Sequence, residues 1–150
     1  MKKIKLTNGE YTFVDGNDYD ELCKYSWHLS RGYVEAYEDG KSLLMHRIIM
    51  KPRKGQIIDH VNRNPHDNTR SNLRVCDRSL NGMNRGKQKN NKSGYKGVVF
   101  DKRRGCWAAF ICKNKKRMYL GSYTDKKNAA MAYNEAAAKH HGEFACVNIV

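Results

Sequence analysis

Residues 56–84 constrain the fold more than any other stretch of the chain. Two short apolar runs, "QIIDH" and "NLRVCD", have the length and composition of β-strands, and "DRSLNGMN" fits a short helix capped by Asp77. Between the two runs lies a polar loop rich in Asn and Asp, residues that bond to their own backbone and favour turns. The stretch therefore predicts a strand–loop–strand–helix unit.

Four polar side chains of this unit have a spacing that suits metal-assisted chemistry. Asp59 and His60 end the first strand, Asn72 begins the second and Asn81 lies in the helix. Such a unit can bring Asp59 and Asn81 to one point, where their oxygen atoms suit a hard cation such as Mg²⁺ or Mn²⁺. We then expect His60 to take a proton from an attacking water, and Asn72 to bond the other ring nitrogen and orient it.

Simpler explanations exist for single residues of the loop. His60 taken alone would be a satisfied surface or core histidine, and only the four-residue pattern favours a catalytic role. His66, in "NPHDN", is expected to face solvent. The other asparagines of the loop are expected to serve its turns: Asn62, Asn64 and Asn68.

The pattern resembles the HNH endonucleases, the ββα-metal or His-Me finger nucleases. "DNTRSNLR", which follows the Asp-His pair, is similar to the subgroup found among phage and intron homing endonucleases. The resemblance implies that Asp59 and Asn81 hold one metal ion, that His60 is the general base and that Asn72 positions it. The third motif residue is often His in the family, whereas here it is Asn81, as in the homing subgroup.

The same resemblance implies a reaction and a cofactor. Phosphodiester hydrolysis with one divalent cation, Mg²⁺ or Mn²⁺, would leave 5′-phosphate and 3′-hydroxyl ends. One site cuts one strand, so a monomer would nick DNA, and a double-strand break would need dimerisation or a second encounter. The upstream "LMHRIIM" is similar to the family's lead-in, with His46 either structural or in contact with phosphate.

Residues 1–50 predict a β-rich scaffold. "KIKLTNGEYTFV" alternates around Asn8-Gly9, which indicates a hairpin with a type I′ turn. "NDYDELCKYSW" predicts a short helix capped by Asn17 or Asp18, and "WHLSRGYVEAYEDGKSLLMH" predicts further strands.

Residues 95–150 predict a three-stranded antiparallel sheet packed on one helix. The strand patterns are "YKGVVF", "CWAAFICK" and "RMYLGSY", and "DKKNAAMAYNEAAAKHH" is helical, with Thr124 or Asp125 as its N-cap and Gly142 at its end. The helix face expected to pack on the sheet consists of Ala129, Ala132, Tyr133 and Ala136.

Residues 93–148 resemble an Apetala-two/ethylene-response-factor DNA-binding domain, by the marks "YKGV", "WAAFI", "YLGSY", "AAMAYNEAA" and "GEFACVN". The resemblance implies that the sheet enters the DNA major groove with the helix behind it. Strand alternation turns one set of side chains toward the helix: Trp107, Ala109, Ile111, Met118 and Leu120. It turns another set toward DNA: Phe110, Cys112, Arg117 and Tyr119.

Individual DNA contacts follow from this placement. Lys96 and Arg117 stand at basic contact positions of the family, and Tyr119 replaces the usual DNA-facing Trp. Basic residues of the hairpin turns are expected to contact phosphates: Arg103, Arg104, Lys115 and Lys116.

The uneven charge of the chain favours a polyanionic partner. Residues 1–50 have a net charge of −1, residues 51–94 of +8 and residues 95–150 of +7, within a total of +14. The segment 82–94, "GMNRGKQKNNKSG", is polar and basic without apolar periodicity, as expected of a linker that follows a phosphate backbone.

Other features exclude several classes of protein. Five cysteines without a C-x-x-C spacing argue against a disulfide framework and a structural zinc site. No apolar run approaches a membrane span and no secretory start is present. We expect a cytoplasmic protein of a phage-infected or phage-carrying bacterium, with no membrane association and no obligate protein partner.

Taken together, the sequence predicts an α+β protein: a β-rich N-terminal region leading into a ββα-metal finger (1–81), a basic linker (82–94) and an Apetala-two-type domain (95–150). The predicted function is that of a metal-dependent, site-selective endonuclease that acts on double-stranded DNA and is of the phage or intron homing type. As a monomer it would be a nickase. The alternative is a catalytically silent DNA-binding regulator, although the presence of Asp59, His60, Asn72 and Asn81 argues against it. An RNA-binding or structural module fits the charge but explains neither motif.

Overall fold

The computed structural model describes all 150 residues and divides into two compact units, Met1–Asp77 and Arg78–Val150. They are called the N-terminal unit and the C-terminal unit below. Small antiparallel sheets and four α-helices make up the chain, which confirms the predicted α+β class. The predicted domain limits at residues 81 and 94 stay a prediction. None of the helices has the length and apolar character needed to cross a lipid bilayer.

The N-terminal unit contains three small sheets and two helices. Its strands are β1 (Lys2–Lys5), β2 (Tyr11–Val14), β3 (His28–Ser30), β4 (Tyr33–Glu38), β5 (Lys41–Leu44), β6 (Ile57–His60) and β7 (Leu73–Cys76). Its helices are α1 (Gly16–Leu22) and α2 (Met45–Met50). Strands β1 and β2 pair with each other, β3, β4 and β5 form a meander, and β6 pairs with β7, all antiparallel.

One apolar cluster joins these sheets. Trp27 is its largest fully buried side chain, and the indole Nε1 donates a hydrogen bond to the carbonyl of Leu22 over 2.7 Å. Ile58 of β6 and Leu73 of β7 belong to the same cluster. The hairpin that carries the Asp-His pair is therefore anchored in the core by one apolar residue from each strand.

The loop between β6 and β7 is attached to β2. The backbone N–H of Phe13 donates to the carbonyl of His66 (2.7 Å), and the N–H of Asn68 donates to the carbonyl of Phe13 (2.8 Å). The hydroxyl of Thr12 also donates to the carbonyl of His66 over 2.8 Å. A loop predicted only as a polar turn region is thus fixed to the scaffold at three points.

The first hairpin forms where it was predicted, but its turn differs. A type I′ turn requires positive φ at both central residues. Gly9 has a φ of 88°, whereas Asn8 is not among the residues with positive φ. The type I′ prediction is wrong, because β1 ends at Lys5 and β2 begins only at Tyr11, so the connection is longer than a two-residue turn.

The C-terminal unit contains one three-stranded sheet and two helices. Its elements are α3 (Arg78–Asn84), β8 (Val98–Asp101), β9 (Cys106–Lys113), β10 (Lys116–Tyr123), α4 (Lys126–His141) and a short 3₁₀ helix (Gly142–Phe144). The strand order is β10-β9-β8 and both pairings are antiparallel, as predicted. Trp107, Ala109 and Ile111 pack on the α4 side, together with Met118 and Leu120, which confirms the predicted facing of the strands.

Helix α4 begins and ends at the predicted residues. The Asp125 carboxylate accepts hydrogen bonds from the N–H groups of Lys127 and Asn128, and Gly142 follows the last turn with a φ of 54°. The buried face is shifted by one position from the predicted one: Ala129, Ala130, Tyr133 and Ala137 are buried, while Ala132 and Ala136 are half-buried.

Candidate functional site

Asp59 and His60 are the last two residues of β6, and each is only 7% exposed. In the antiparallel register Asp59 lies opposite Arg74, and His60 lies opposite Leu73. The Asp-His pair is therefore held on a paired strand whose preceding residue, Ile58, is in the core. This placement gives both side chains a fixed backbone.

Asp59 forms an ion pair with Arg74. The guanidinium Nε and Nη2 donate to carboxylate Oδ2 over 3.0 and 2.7 Å. The side chains of Arg74 and Asp59 are 14% and 8% exposed, respectively, so the ion pair is largely shielded from water. Sequence reasoning missed Arg74, because only the strand register shows that it lies opposite Asp59.

The imidazole of His60 is buried and held by an amide. Its Nε2 lies 3.2 Å from Oδ1 of Asn68, and its ring centroid lies 5.5 Å from that of His46 in an edge-on arrangement. Burial lowers the pKa of His60, while the bond to Asn68 and the charges of Asp59 and Asp67 act in the opposite direction. The net lowering favours the neutral ring, the form that accepts a proton.

His46 lies on α2 and is also buried, at 5% exposure. Its ring packs against Tyr33 at 5.2 Å, and its Nδ1 has no hydrogen-bond partner. Burial, followed by the charges of His60 and Arg47, lowers the pKa of His46 to about 4. Of the two roles left open for His46, this interior position favours the structural one.

Asn72 holds the loop between the two strands closed. Its Oδ1 accepts from the N–H of Asn62 over 2.9 Å, and its Nδ2 donates to the carbonyl of Asp67 over 2.7 Å. The predicted bond between Asn72 and the His60 ring is not one of these, and the amide that reaches the ring belongs to Asn68. Any catalytic role of Asn72 stays a prediction.

Asn81 lies on α3 and is half-buried. It belongs to the C-terminal unit, whereas Asp59 and His60 belong to the N-terminal unit. Its role as a metal ligand stays a prediction.

The donor chemistry fits a hard divalent cation that keeps most of its water. Asp59 offers a buried carboxylate, a ligand type that hard cations prefer. No group of three or more His, Cys, Asp or Glu side chains is placed to form an all-protein cage. Mg²⁺ is usually bound by one or two carboxylates together with water and substrate phosphates, so the Asp59 carboxylate is a suitable ligand for this type of ion.

The C-terminal unit has a basic groove of about 1090 Å³ beside its sheet. Its walls come from α3, from residues 85–93 and from all three strands, with Tyr133 and His141 of α4. The groove contains no acidic side chain and eight basic ones: Arg78, Arg85, Lys87, Lys92, Lys96, Lys102, Lys115 and Arg117. Such a lining suits an anionic ligand.

The predicted DNA-contact residues occupy different environments within this unit. Arg117 lies over the ring of Phe110 at 3.7 Å, and the exposed Tyr119 bonds Ser122 through its hydroxyl over 2.6 Å. Lys96 instead donates from Nζ to the carbonyl of Met83 over 2.6 Å, so its ammonium helps hold α3.

The predicted contacts on the hairpin turns lie at the solvent surface. Arg103 and Arg104 donate their backbone N–H groups to Asp101, and Lys115 is exposed with a φ of 63°. DNA contact by any of these residues stays a prediction. The sequence predicted Arg85, Lys87 and Lys92, which line the groove, only as part of the charge of the linker 82–94, and Arg78 only as part of the short helix.

Comparison with known proteins relates both parts of the chain to others. No protein-family model matches the chain. The chain is 30% identical over 146 residues to an uncharacterized HNH endonuclease of Acanthamoeba polyphaga mimivirus, which covers 93% of this chain and 75% of that protein. It is 32% identical over 92 residues to protein 3.8 of Escherichia phage T7, covering 61% of this chain and 75% of that protein.

A third similarity is confined to one segment. Over 58 residues the chain is 41% identical to an AP2-like ethylene-responsive transcription factor of Arabidopsis thaliana, covering 39% of this chain but only 12% of the plant protein.

Proposed function

The chain belongs to the HNH endonuclease family, and on that premise we propose that it is a divalent-cation-dependent DNA endonuclease of the homing type. The main support for this proposal is the environment of His60. It is a buried, neutral imidazole next to a buried carboxylate, on a strand anchored in the core. A general base needs such a ring, able to accept a proton near neutral pH.

The reaction assigned to this site is hydrolysis of a phosphodiester bond. His60 takes a proton from the attacking water, whose oxygen forms the new bond to phosphorus, and the bond to the 3′ oxygen breaks. The leaving 3′ oxygen takes a proton from solvent water, which gives 5′-phosphate and 3′-hydroxyl ends, and the protonated His60 returns its proton to solvent. Asp59 and Asn81 are the residues that would hold the cation in a ββα-metal arrangement. When bound, Mg²⁺ or Mn²⁺ would supply charge stabilisation at the phosphoryl oxygen and at the leaving oxygen.

Arg74 sets the charge balance around Asp59. Two of its N–H groups donate to the same oxygen, Oδ2 of Asp59, and hold that carboxylate in position on β6. A buried carboxylate already paired with a cation binds a second cation less strongly than a bare one would. The substrate phosphates and water are therefore expected to contribute most of the remaining metal ligands.

Double-stranded DNA is the proposed substrate, with the C-terminal unit as its Apetala-two-type binding part. The basic groove and the exposed hairpin arginines offer cationic groups for phosphate contacts, including Arg103, Arg104, Lys115 and Arg117. Arg117 and Tyr119 alternate along β10 with Met118 and Leu120, which pack toward α4, and on this ground they are proposed to reach base edges. One site per chain makes a monomer a nicking enzyme.

A supercoiled-plasmid nicking assay tests the proposal. We expect open-circle product in Mg²⁺ or Mn²⁺, no product in EDTA, and none from His60→Ala. The matched control is His66→Ala, because His66 lies in the same loop but its Nδ1 is 3.2 Å from the Tyr11 carbonyl and its Nε2 is 3.8 Å from the Glu10 carboxylate, away from the His60 ring. Nicking by His60→Ala at the natural rate would remove His60 from the mechanism.

The second candidate function is a catalytically silent DNA-binding regulator. It is favoured by the 41% identity with a plant transcription factor over the C-terminal segment. A gel shift with duplex DNA, run beside the nicking assay on a plasmid carrying the bound site, separates the two functions. Specific binding without cleavage in either metal would support the regulator.

A further inference from the structure

We propose that Asn68 is the positioning residue for His60, and that it holds the ring in the tautomer with its proton on Nε2. The catalytic consequence rests on the proposed function, because it makes Nδ1 the atom that receives the proton from water. The placement of the tautomer itself rests only on hydrogen bonds of the N-terminal unit.

Asn68 is fixed more firmly than any loop asparagine around it. It is 1% exposed, and its backbone N–H donates to the carbonyl of Phe13 on β2 over 2.8 Å. Its side chain then reaches three groups: Pro65, Thr12 and His60. A turn residue would expose its side chain, whereas this one is enclosed by the scaffold and by the loop.

The neighbours of Asn68 determine which way its amide faces. Nδ2 lies 2.9 Å from the carbonyl oxygen of Pro65, a group that can only accept. Nδ2 also lies 3.0 Å from the hydroxyl oxygen of Thr12, whose own proton goes to the carbonyl of His66. Reversing the amide would set its oxygen against two acceptors, so Oδ1 must be the atom that faces His60.

The direction of the amide decides the tautomer of the ring. Oδ1 of Asn68 accepts and cannot donate, so the ring nitrogen 3.2 Å away must carry a hydrogen. In a neutral imidazole one nitrogen carries the proton and the other does not. With Nε2 protonated, Nδ1 is the basic nitrogen. The amide that contacts the ring is itself held by Thr12 of β2 and by Pro65 of the loop.

Asn68 therefore takes the orienting role that the sequence pattern assigned to Asn72. Asn72 closes the loop through Asn62 and Asp67, and that closure keeps Asn68 in reach of the ring. Asn72 therefore fixes the shape of the loop, and Asn68 contacts the imidazole.

Nitrogen-15 NMR of the natural protein is the first test, above pH 7.5, where the ring is neutral. The two neutral tautomers give different pairs of ring nitrogen shifts. We expect His60 to show the limiting pattern of an Nε2–H ring, with an Nε2 proton that exchanges slowly enough to be observed. A ring with its proton on Nδ1, or one that averages between the tautomers, would overturn the proposal.

The nicking rate of Asn68→Ala is the second test, with Asn64→Ala as the matched control. Asn64 is an exposed asparagine of the same loop whose side chain bonds the N–H of His66 and does not touch the ring. We expect about a tenfold or greater loss of rate for Asn68→Ala, as for residues that orient a reactive group through a hydrogen bond, and less than about twofold for Asn64→Ala. The slow Nε2 proton should also disappear in Asn68→Ala.

The two tests distinguish the failure of this proposal from failure of the nuclease function. A natural protein that binds its site on a plasmid without cutting it in either metal, but shows the locked Nε2–H ring, would overturn the nuclease function and support the tautomer assignment. An active enzyme in which folded Asn68→Ala cuts at the natural rate would overturn the positioning role alone. If Asn68→Ala does not fold, the spectrum of the natural protein still decides the tautomer.

Discussion

The buried His46 makes the stability of the N-terminal unit depend on pH. Burial, then the charges of His60 and Arg47, lowers its pKa to about 4, whereas an unfolded histidine titrates near ~6.5. Between these values the unfolded chain binds the proton and the folded chain does not, so acid favours unfolding. The stability is fully present above the unfolded value and is lost as the pH falls.

We predict that the free energy of unfolding falls by about 3 kcal/mol between pH 6.5 and pH 4 through His46. His46→Phe keeps a ring against Tyr33 but removes the titrating group, so it should flatten this slope. Urea unfolding at a series of pH values, followed by Trp27 fluorescence in a Trp107→Phe background, measures it. An unchanged slope in His46→Phe would assign the acid sensitivity to other groups.

At the residue scale, the sequence predicts positions that depend on neighbours in the chain, such as Asp59 and His60 at a strand end, and misses contacts that depend on neighbours in space. The adjacency of Asp59 and His60 at a strand end is visible in the letters. The loop offers several asparagines, and only its attachment to β2 through Phe13 places Asn68, instead of another one, beside the ring. Arg74 was missed for the same reason, because its pairing with Asp59 depends on the register of β6 and β7.

At the scale of elements, Gly97 shows how closely the sheet of the C-terminal unit approaches α4. A Cβ at this position would lie 2.1 Å from Cδ2 of Tyr133 and 2.5 Å from the carbonyl oxygen of Phe110, and its φ of +77° disfavours any side chain. The carbonyl of Gly97 also accepts from the N–H of Phe110. This glycine therefore fixes the contact between the start of β8, the middle of β9 and the helix.

We predict that Gly97→Ala destabilises the C-terminal unit by about 3 kcal/mol, from the steric clash and the backbone strain together. Gly94→Ala is the matched control, because Gly94 has a similar φ of +86° but nothing within 4 Å of its added Cβ. It should cost only about 1 kcal/mol. Amide hydrogen exchange of β9 reads out both variants. Equal loss of protection in the two would show that strain alone, without the contact to Tyr133, sets the effect.

Elements with strong local signals were predicted well, whereas the features that depend on neighbouring elements were not. The Asp125 cap and the Gly142 end of α4 are local chemistry, so both were correct. Which alanines face the sheet depends on the sheet's position, and the buried stripe therefore contains Ala137 instead of Ala136. Helix α1 has Asp15 at its N-cap without a side-chain bond, so the predicted caps Asn17 and Asp18 were wrong.

At the scale of the whole molecule, positive charge is concentrated where the proposed substrate would bind. The first fifty residues carry a net charge of −1, and the remaining hundred supply the whole surplus. The sequence predicted this asymmetry, but it could not show that basic residues far apart in the chain, such as Arg78 and Lys115, line one groove. The order of the strands and the course of residues 85–93 create that groove.

If the groove contacts the phosphate backbone, two of its exposed lysines should contribute to counterion release. We predict that Lys92→Gln/Lys102→Gln weakens binding to duplex DNA and reduces the slope of log K against log salt by about 2. The matched control is Lys126→Gln/Lys127→Gln, which removes the same charge from exposed positions at the start of α4 that do not line the groove.

Fluorescence anisotropy with a labelled duplex across a range of salt concentrations measures both double variants. Because both lose the same net charge, any general effect of charge on association should appear equally in the two. A smaller slope in the groove variant alone would place the phosphate contacts along the groove. Equal slopes in the two variants would mean that the total charge of the C-terminal unit, and not the arrangement of its groove, governs the affinity for DNA.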